Sequence, residues 1–188
     1  MPAGTGARDV SETSRYEAAL RCFRGRMSVS QPLFDYLDRL GIAHATIEHA
    51  PVFTVEDGRD WKHEIPGLHC KNLFMKDAKG RIALAVLPGD KRADIKGIEK
   101  KAGLARLSFG RPDLLKDVLG VEPGSVTPFA LINDRDRRVV VILDADMMQA
   151  EQVNYHPLRN DASTTIRSAD LMKFVKALGY EPLVFDCG

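Results

Sequence analysis

Three short segments gather side chains that are able to do chemistry. The first is Cys70-Lys71-Asn72-Leu73-Phe74-Met75-Lys76. Read as a strand, it puts Lys71, Leu73 and Met75 on one face and Asn72, Phe74 and Lys76 on the other. A lysine in register with two apolar residues points toward the interior or into a cavity. An ammonium there is costly unless it meets an anion such as a phosphate or carboxylate. A strand end that lets the chain snorkel to water satisfies the same pattern. The second segment is Gly124-Ser125-Val126-Thr127-Pro128. A loop between Gly and Pro can aim consecutive backbone N–H groups at an oxyanion or phosphate, and an ordinary turn has the same composition. The third is Asn154-Tyr155-His156-Pro157-Leu158-Arg159-Asn160-Asp161. Pro157 restricts the backbone at His156. The imidazole is an acid, base or hydrogen-bond donor in waiting, or a loop histidine tied to one carbonyl.

Other reactive residue types are less well placed. In an alternating strand Cys70 faces away from Lys71 and reads as a buried thiol rather than an activated thiolate. Ser108, Ser125 and Ser163 lack a GxSxG context. His44, His49, His63 and His69 do not form a ligand cluster; five positions separate His44 from His49, which sets them on opposite faces of a strand. The cysteines, Cys22, Cys70 and Cys187, are odd in number and have no zinc-ligand spacing. Neither a disulfide framework, a metal nor a cofactor is expected. No P-loop, GxGxxG or internal repeat is present.

A chain of 188 residues with 44% hydrophobic content suits one domain with a real core. No apolar run approaches the length of a membrane span. Met1 to Met27 holds five arginines and no apolar signal region, so a cytoplasmic protein is expected. The net charge is only +1, but Lys91 to Lys116 carries eight basic and three acidic residues. That excess suits phosphates or a solvated helix face.

The elements that must position these groups follow from periodicity and punctuation. Residues 1–26 read as an extension, with one short helix over Tyr16 to Phe23, and residues 27–188 as a single domain. Ser30 caps a helix carrying Leu33, Tyr36, Leu37 and Leu40 on one face, and Gly41 ends it. Ile42 to Glu48 is a strand and Val55 to His63 a short helix. His69 to Lys76 and Arg81 to Leu87 form a hairpin about Asp77-Ala78-Lys79-Gly80. Ile95 to Ala102 and Pro112 to Leu119 are helices flanking a strand at Ala105 to Phe109. Phe129 to Asn133 and Arg138 to Leu143 read as a second hairpin around Asp134-Arg135-Asp136. Thr164 to Arg167 is a strand, Ser168 caps a helix over Ala169 to Leu178 that Gly179 ends, and Leu183 to Phe185 is the last strand. Strands outnumber helices and hairpins recur, which is α+β with a mixed, curved sheet and helices outside it. One core uses all the apolar stripes, so a monomer is expected.

Taken in order, Glu48-His49-Ala50-Pro51-Val52-Phe53-Thr54, Lys71-Asn72-Leu73-Phe74, the Gly124/Pro128 loop and Asn154-Tyr155-His156-Pro157-Leu158 resemble the YbaK/ProX family of trans-editing aminoacyl-tRNA deacylases. The match runs from about Ser30 to the C-terminus and is most similar to the free-standing ProX type, which edits alanine mischarged on proline tRNA. The resemblance implies a mixed, mostly antiparallel, barrel-like sheet surrounded by helices. It implies hydrolysis of the ester between an amino acid and the terminal adenosine of tRNA. It assigns Lys71 to a phosphate or polar group of that nucleotide, backbone N–H groups near Gly124 and Ser125 to the carbonyl, and His156 and Asn72 to orienting the amino acid or water. Pro128, Asn154, Phe53 and Thr54 complete the expected substrate pocket. The partners implied are the aminoacylated 3′ end of tRNA, tRNA-Pro in particular, and prolyl-tRNA synthetase. The lysine and the GxxxP loop are shared with cysteine editors. A deacylase for cysteine or serine therefore stands as an alternative, and a non-catalytic tRNA-end-binding module as another.

Overall fold

The run Ile82-Ala83-Leu84-Ala85-Val86-Leu87-Pro88 is apolar on both sides of the pleat, and every one of its residues is buried. A strand of that kind belongs in the middle of a sheet covered on both faces. In the computed structural model, which describes residues 29–51 and 65–188, it is β3 (Ile82–Pro88). The other strands are β1 (Ala45–Glu48), β2 (Leu68–Asp77), β4 (Leu107–Phe109), β5 (Val139–Asp144), β6 (Gln152–Tyr155), β7 (Ala162–Arg167) and β8 (Leu183–Phe185). Their order is β1-β7-β6-β2-β3-β5-β8, with β4 attached to β2. The β1/β7, β2/β3, β2/β4 and β6/β7 pairs are antiparallel, and β2/β6, β3/β5 and β5/β8 are parallel.

Two cores flank this sheet. On one face Phe74, Leu84, Val86, Val141 and Leu143 pack with a helix over residues 29–39 (α1), with α3 (Pro112–Leu119) and with α4 (Ser168–Ala177). On the other, Met75, Ala83, Ala85, Leu87 and Leu107 meet Ile98 of α2 (Ile95–Lys101). The small Ala83 and Ala85 lie where α2 covers β3. The mixed sheet enclosed by helices agrees with the expected fold class.

Several local expectations need correction. Phe129 to Asn133 is not a strand but part of a 3-10 helix, Pro128–Asn133. Pro128 occupies its first turn and Thr127 Oγ1 accepts the Phe129 N–H at 3.3 Å, which are helix-start signals. Its Phe129, Ala130 and Leu131 are all buried, so periodicity could not separate the two readings. There is consequently no second hairpin: β5 runs parallel to β3 and β8. Ser30 and Ser168 are not caps. Ser30 is buried and gives its hydroxyl to Pro157 O, while Ser168 Oγ donates to Ala150 O. β6 has no counterpart among the elements expected from the sequence. The expected extension over 1–26, the helix Val55 to His63, and Phe53 and Thr54 fall outside the described residues.

The β2–β3 turn is closed by one carboxylate. Asp77, 3% exposed, accepts the N–H groups of Lys79 (2.8 Å), Arg81 (2.9 Å) and Ala105 (3.1 Å) and the Arg81 Nε at 3.0 Å. Burial acts to raise this carboxyl, but the Ala105, Arg81 and Lys79 N–H groups and the guanidinium outweigh it, and the group sits at about 2 instead of 3.8. A carboxyl depressed in the folded state adds stability above its unfolded value and loses it as pH falls through the folded one. Unfolding free energy followed against pH should therefore drop between pH 3.8 and about 2. In Asp77→Asn that part of the acid limb should flatten and stability at neutral pH should be lower.

Candidate active site

β2 changes partners along its length. Leu68 and His69 pair with β6, Met75 to Asp77 with β4, and Cys70 to Lys76 with β3 on the opposite edge. On the β6/β4 side residues 70–74 have no strand beside them. The Phe74 carbonyl there accepts the Gly110 N–H at 2.9 Å. By alternation the backbone groups of Asn72 face the same gap. The site is built around this window.

Asn72, within this stretch, sends its side chain to the Gly124–Pro128 loop. Nδ2 donates to Val126 O at 2.9 Å, which fixes the amide orientation and ties β2 to the Gly124–Pro128 loop. Oδ1 is buried and has no hydrogen-bond partner among the described residues. The loop turns at Gly124, whose φ is 89°, a value that favours glycine. Ser125 N–H donates to Glu122 O at 3.0 Å, closing the turn. Pro128 is buried at the start of the 3-10 helix.

Lys71 leaves β2 on the other face. It is half-buried, and its Nζ donates to Gly89 O at 3.2 Å. Among the described residues no carboxylate lies within ion-pair distance of it. An ammonium has three donors; this one has one recorded acceptor, a neutral carbonyl. The turn that supplies the carbonyl is firmly held. Gly89 N–H donates to His69 O at 2.8 Å and Lys91 N–H to Pro88 O at 3.2 Å. Lys91 Nζ meets Asp144 (2.8 Å), Asp146 (2.7 Å) and Asp186 (2.6 Å).

His156 lies two positions past the last β2–β6 pair, His69↔Asn154, just as Lys71 does on β2. Its Nδ1 donates to Ala162 O at 2.8 Å. His49, which local spacing did not single out, lies 5.9 Å from it between ring centroids. His49 Nδ1–H donates to Ala50 O (2.8 Å) and Nε2 is 3.0 Å from Ser163 Oγ. Burial lowers the His49 pKa, favouring the neutral ring. The turn after His156 is clamped by Arg159, which joins Asp161 (2.8 Å) and Glu48 (2.6 Å). Asn154 serves the scaffold: Nδ2 donates to Pro66 O (2.9 Å) and Oδ1 accepts from Thr165 Oγ1 (2.6 Å). Contacts of His49 with residue 156 need the folded sheet, and only the segment Glu48 to Thr54 pointed to it in sequence.

Burial pushes the Cys70 thiol up to about 12, and its Sγ lies 3.6 Å from Leu68 O. It is a packing group. No set of three or more His, Cys, Asp or Glu suits a metal among the described residues, and no described helix is long and apolar enough to cross a membrane.

A mixed sheet enclosed by helices, with Lys71 and the Gly124–Pro128 loop beside β2, agrees with the aminoacyl-tRNA editing fold that the sequence resembles. The family model of the aminoacyl-tRNA editing domain matches residues 49–174. The chain belongs to that family and is an aminoacyl-tRNA deacylase. The prolyl-tRNA editing protein ProX of Acetoanaerobium sticklandii is 37% identical over 154 residues, 81% of this chain and 94% of that protein. Prolyl-tRNA synthetase associated domain-containing protein 1 of Danio rerio is 32% identical over 160 residues, 84% and 87% of the two chains. A solved structure described as a candidate trans-editing enzyme for prolyl tRNA synthetase superposes with a TM-score of 0.66 at 18% identity, over 84% of this chain and 95% of that one, and it supports the fold.

With its thiol held protonated, Cys70→Ala should retain near wild-type deacylation, and thiol-directed reagents at neutral pH should leave the enzyme active. A loss of activity that tracks Cys70 labelling would make the thiol a participant.

Proposed function

We propose that this chain removes alanine from mischarged tRNA-Pro, acting in trans as a proofreading factor. The observation that carries this reading is Lys71: a half-buried ammonium with one carbonyl partner and no counter-ion among the described residues. Such a cation is compensated by an anion, and the 3′-terminal nucleotide of an aminoacyl-tRNA brings one. The names of the relatives, a prolyl-tRNA editing protein and prolyl-tRNA synthetase associated proteins, support proline tRNA as the carrier and an encounter with prolyl-tRNA synthetase.

In this reading Lys71 anchors the terminal nucleotide. Asn72 Oδ1 receives a proton donor of the aminoacyl group, for which the α-amino group is suited. Backbone N–H groups of the Gly124–Pro128 loop other than that of Ser125, which Glu122 O holds, steady the developing oxyanion, and His156 orients water. The ester is already activated, and the vicinal ribose hydroxyl helps place the water, so fixed geometry supplies most of what the reaction needs. Selection is by size: a pocket fitted to alanine excludes proline by clash. Preferring one extra methylene supplies only about 1–3 kcal/mol.

The test is a panel of tRNA-Pro charged with alanine, cysteine, serine and proline. Wild type should release alanine fastest and spare proline. Lys71→Ala should abolish release while its circular dichroism and melting temperature stay close to wild type, since the side chain has a single hydrogen bond among the described residues to lose. Release of cysteine or serine in preference to alanine would reassign the substrate. Binding of tRNA without release of any amino acid would overturn the reading.

A further inference from the structure

Phe109 is the most exposed large hydrophobic among the described residues, at 70%, and the only aromatic in that group. Its position is set by two constraints. It pairs with Met75 across β2/β4, and directly opposed residues of an antiparallel pair share a face. By alternation that face also carries Leu73 and Lys71. Gly110 then turns the chain under β2: its N–H donates to Phe74 O, and a Cβ there would lie 2.3 Å from the Phe74 ring. The chain cannot shift inward at this point without a collision, so the Phe109 ring is held outward at the edge strand.

One cation shares its face of the sheet: Lys71 is half-buried, donates to the Gly89 carbonyl and has no ion pair among the described residues, whereas Lys76 and Arg106 alternate onto the opposite face. An exposed aromatic ring on the same face as a cation without a counter-ion is the pattern of a stacking platform for single-stranded nucleic acid. Lys71 and Met75 are separated along β2 by about 13 Å at 3.3 Å per residue, so the ring stands within a few nucleotides of the lysine.

We propose that Phe109 stacks one of the unpaired bases that precede the terminal adenosine of the tRNA, so that β4 receives the single-stranded 3′ end before it enters the window. This rests on the reading of Lys71 as the anchor of the terminal nucleotide. The ring selects for a base rather than for a sequence, because every base has a π-face.

The experiment is a double-mutant cycle. Wild type, Phe109→Ala and Phe109→Trp are assayed on the charged tRNA that wild type hydrolyses fastest, and on the same tRNA with abasic sites in place of the two residues before the terminal adenosine. Phe109→Ala should lower kcat/KM on the intact tRNA by about 5- to 150-fold, should match wild type on the abasic tRNA, and should be rescued by Phe109→Trp. The same loss on both substrates, or no loss on either, would overturn stacking at Phe109. Failure of wild type to hydrolyse any charged tRNA would instead remove the underlying reading of Lys71, and this proposal with it.

Discussion

A strand inside a sheet must satisfy hydrogen-bonding groups on both of its edges, and β2 meets that demand in three different ways. β3 covers one edge throughout. The other is shared between β6 at its start and β4 at its end, and neither reaches the middle. In the gap Gly110 N–H reaches the Phe74 carbonyl, and the Asn72 side chain reaches Val126 O of the Gly124–Pro128 loop. The other atom of that amide, Oδ1, is buried and has no donor among the described residues.

Two lysines near this gap show how environment assigns roles to the same side chain. Lys91 has a carboxylate for each of its three donors, and one of them, Asp144, is fully buried. Asp144 is in turn saturated, since its oxygens also accept the N–H groups of Cys187, Asp146 and Met147. The desolvation of both ions is offset by complete hydrogen bonding, and the cluster ties the turn after β3 to β5 and to the C-terminal residues. Lys71 leans on the carbonyl of that same turn and has no acid within ion-pair distance among the described residues. The satisfied cation fixes the scaffold, and the other is the one that the proposed function assigns to the substrate.

Much of this was legible in the sequence where the signal was local. The helix α3 spans Pro112–Leu119 as expected, the Asp77–Gly80 turn forms between β2 and β3, and Leu183–Phe185 is a strand. The inward lean of Lys71 came from simple alternation. Signals that depend on distant partners were hidden. β6 is short and polar, and it becomes a strand because β7 and β2 flank it. β5 was misread as a hairpin arm because an apolar run does not reveal whether its neighbours are parallel. The difference between Lys71 and Lys91 was invisible, because the acids that settle it lie at 144, 146 and 186. His49 was set aside on local spacing, yet the sheet carries it to His156.

The groups that look reactive are also the ones the fold restrains. The Cys70 thiol is held protonated by burial, and the Tyr155 hydroxyl is pushed well above its usual range by the same cause. Ser163 and His49 lie at hydrogen-bonding distance, but the serine is 5% exposed, which denies it the approach that nucleophilic attack on a bulky ester requires. Asn154 is engaged by Pro66 and Thr165. What remains open among the described residues is an ammonium, an amide oxygen and a glycine loop, and none of these is a nucleophile. Such a set can only orient and stabilise. For an ester that is already activated this is enough, because holding the reacting atoms in place is worth about 7–11 kcal/mol in well-oriented systems, and donors preset at the developing oxyanion add about 2.7–4 kcal/mol each. In the reading proposed above, such a site forms no covalent acyl intermediate and discriminates in one step, by whether the aminoacyl group fits between β2 and the loop.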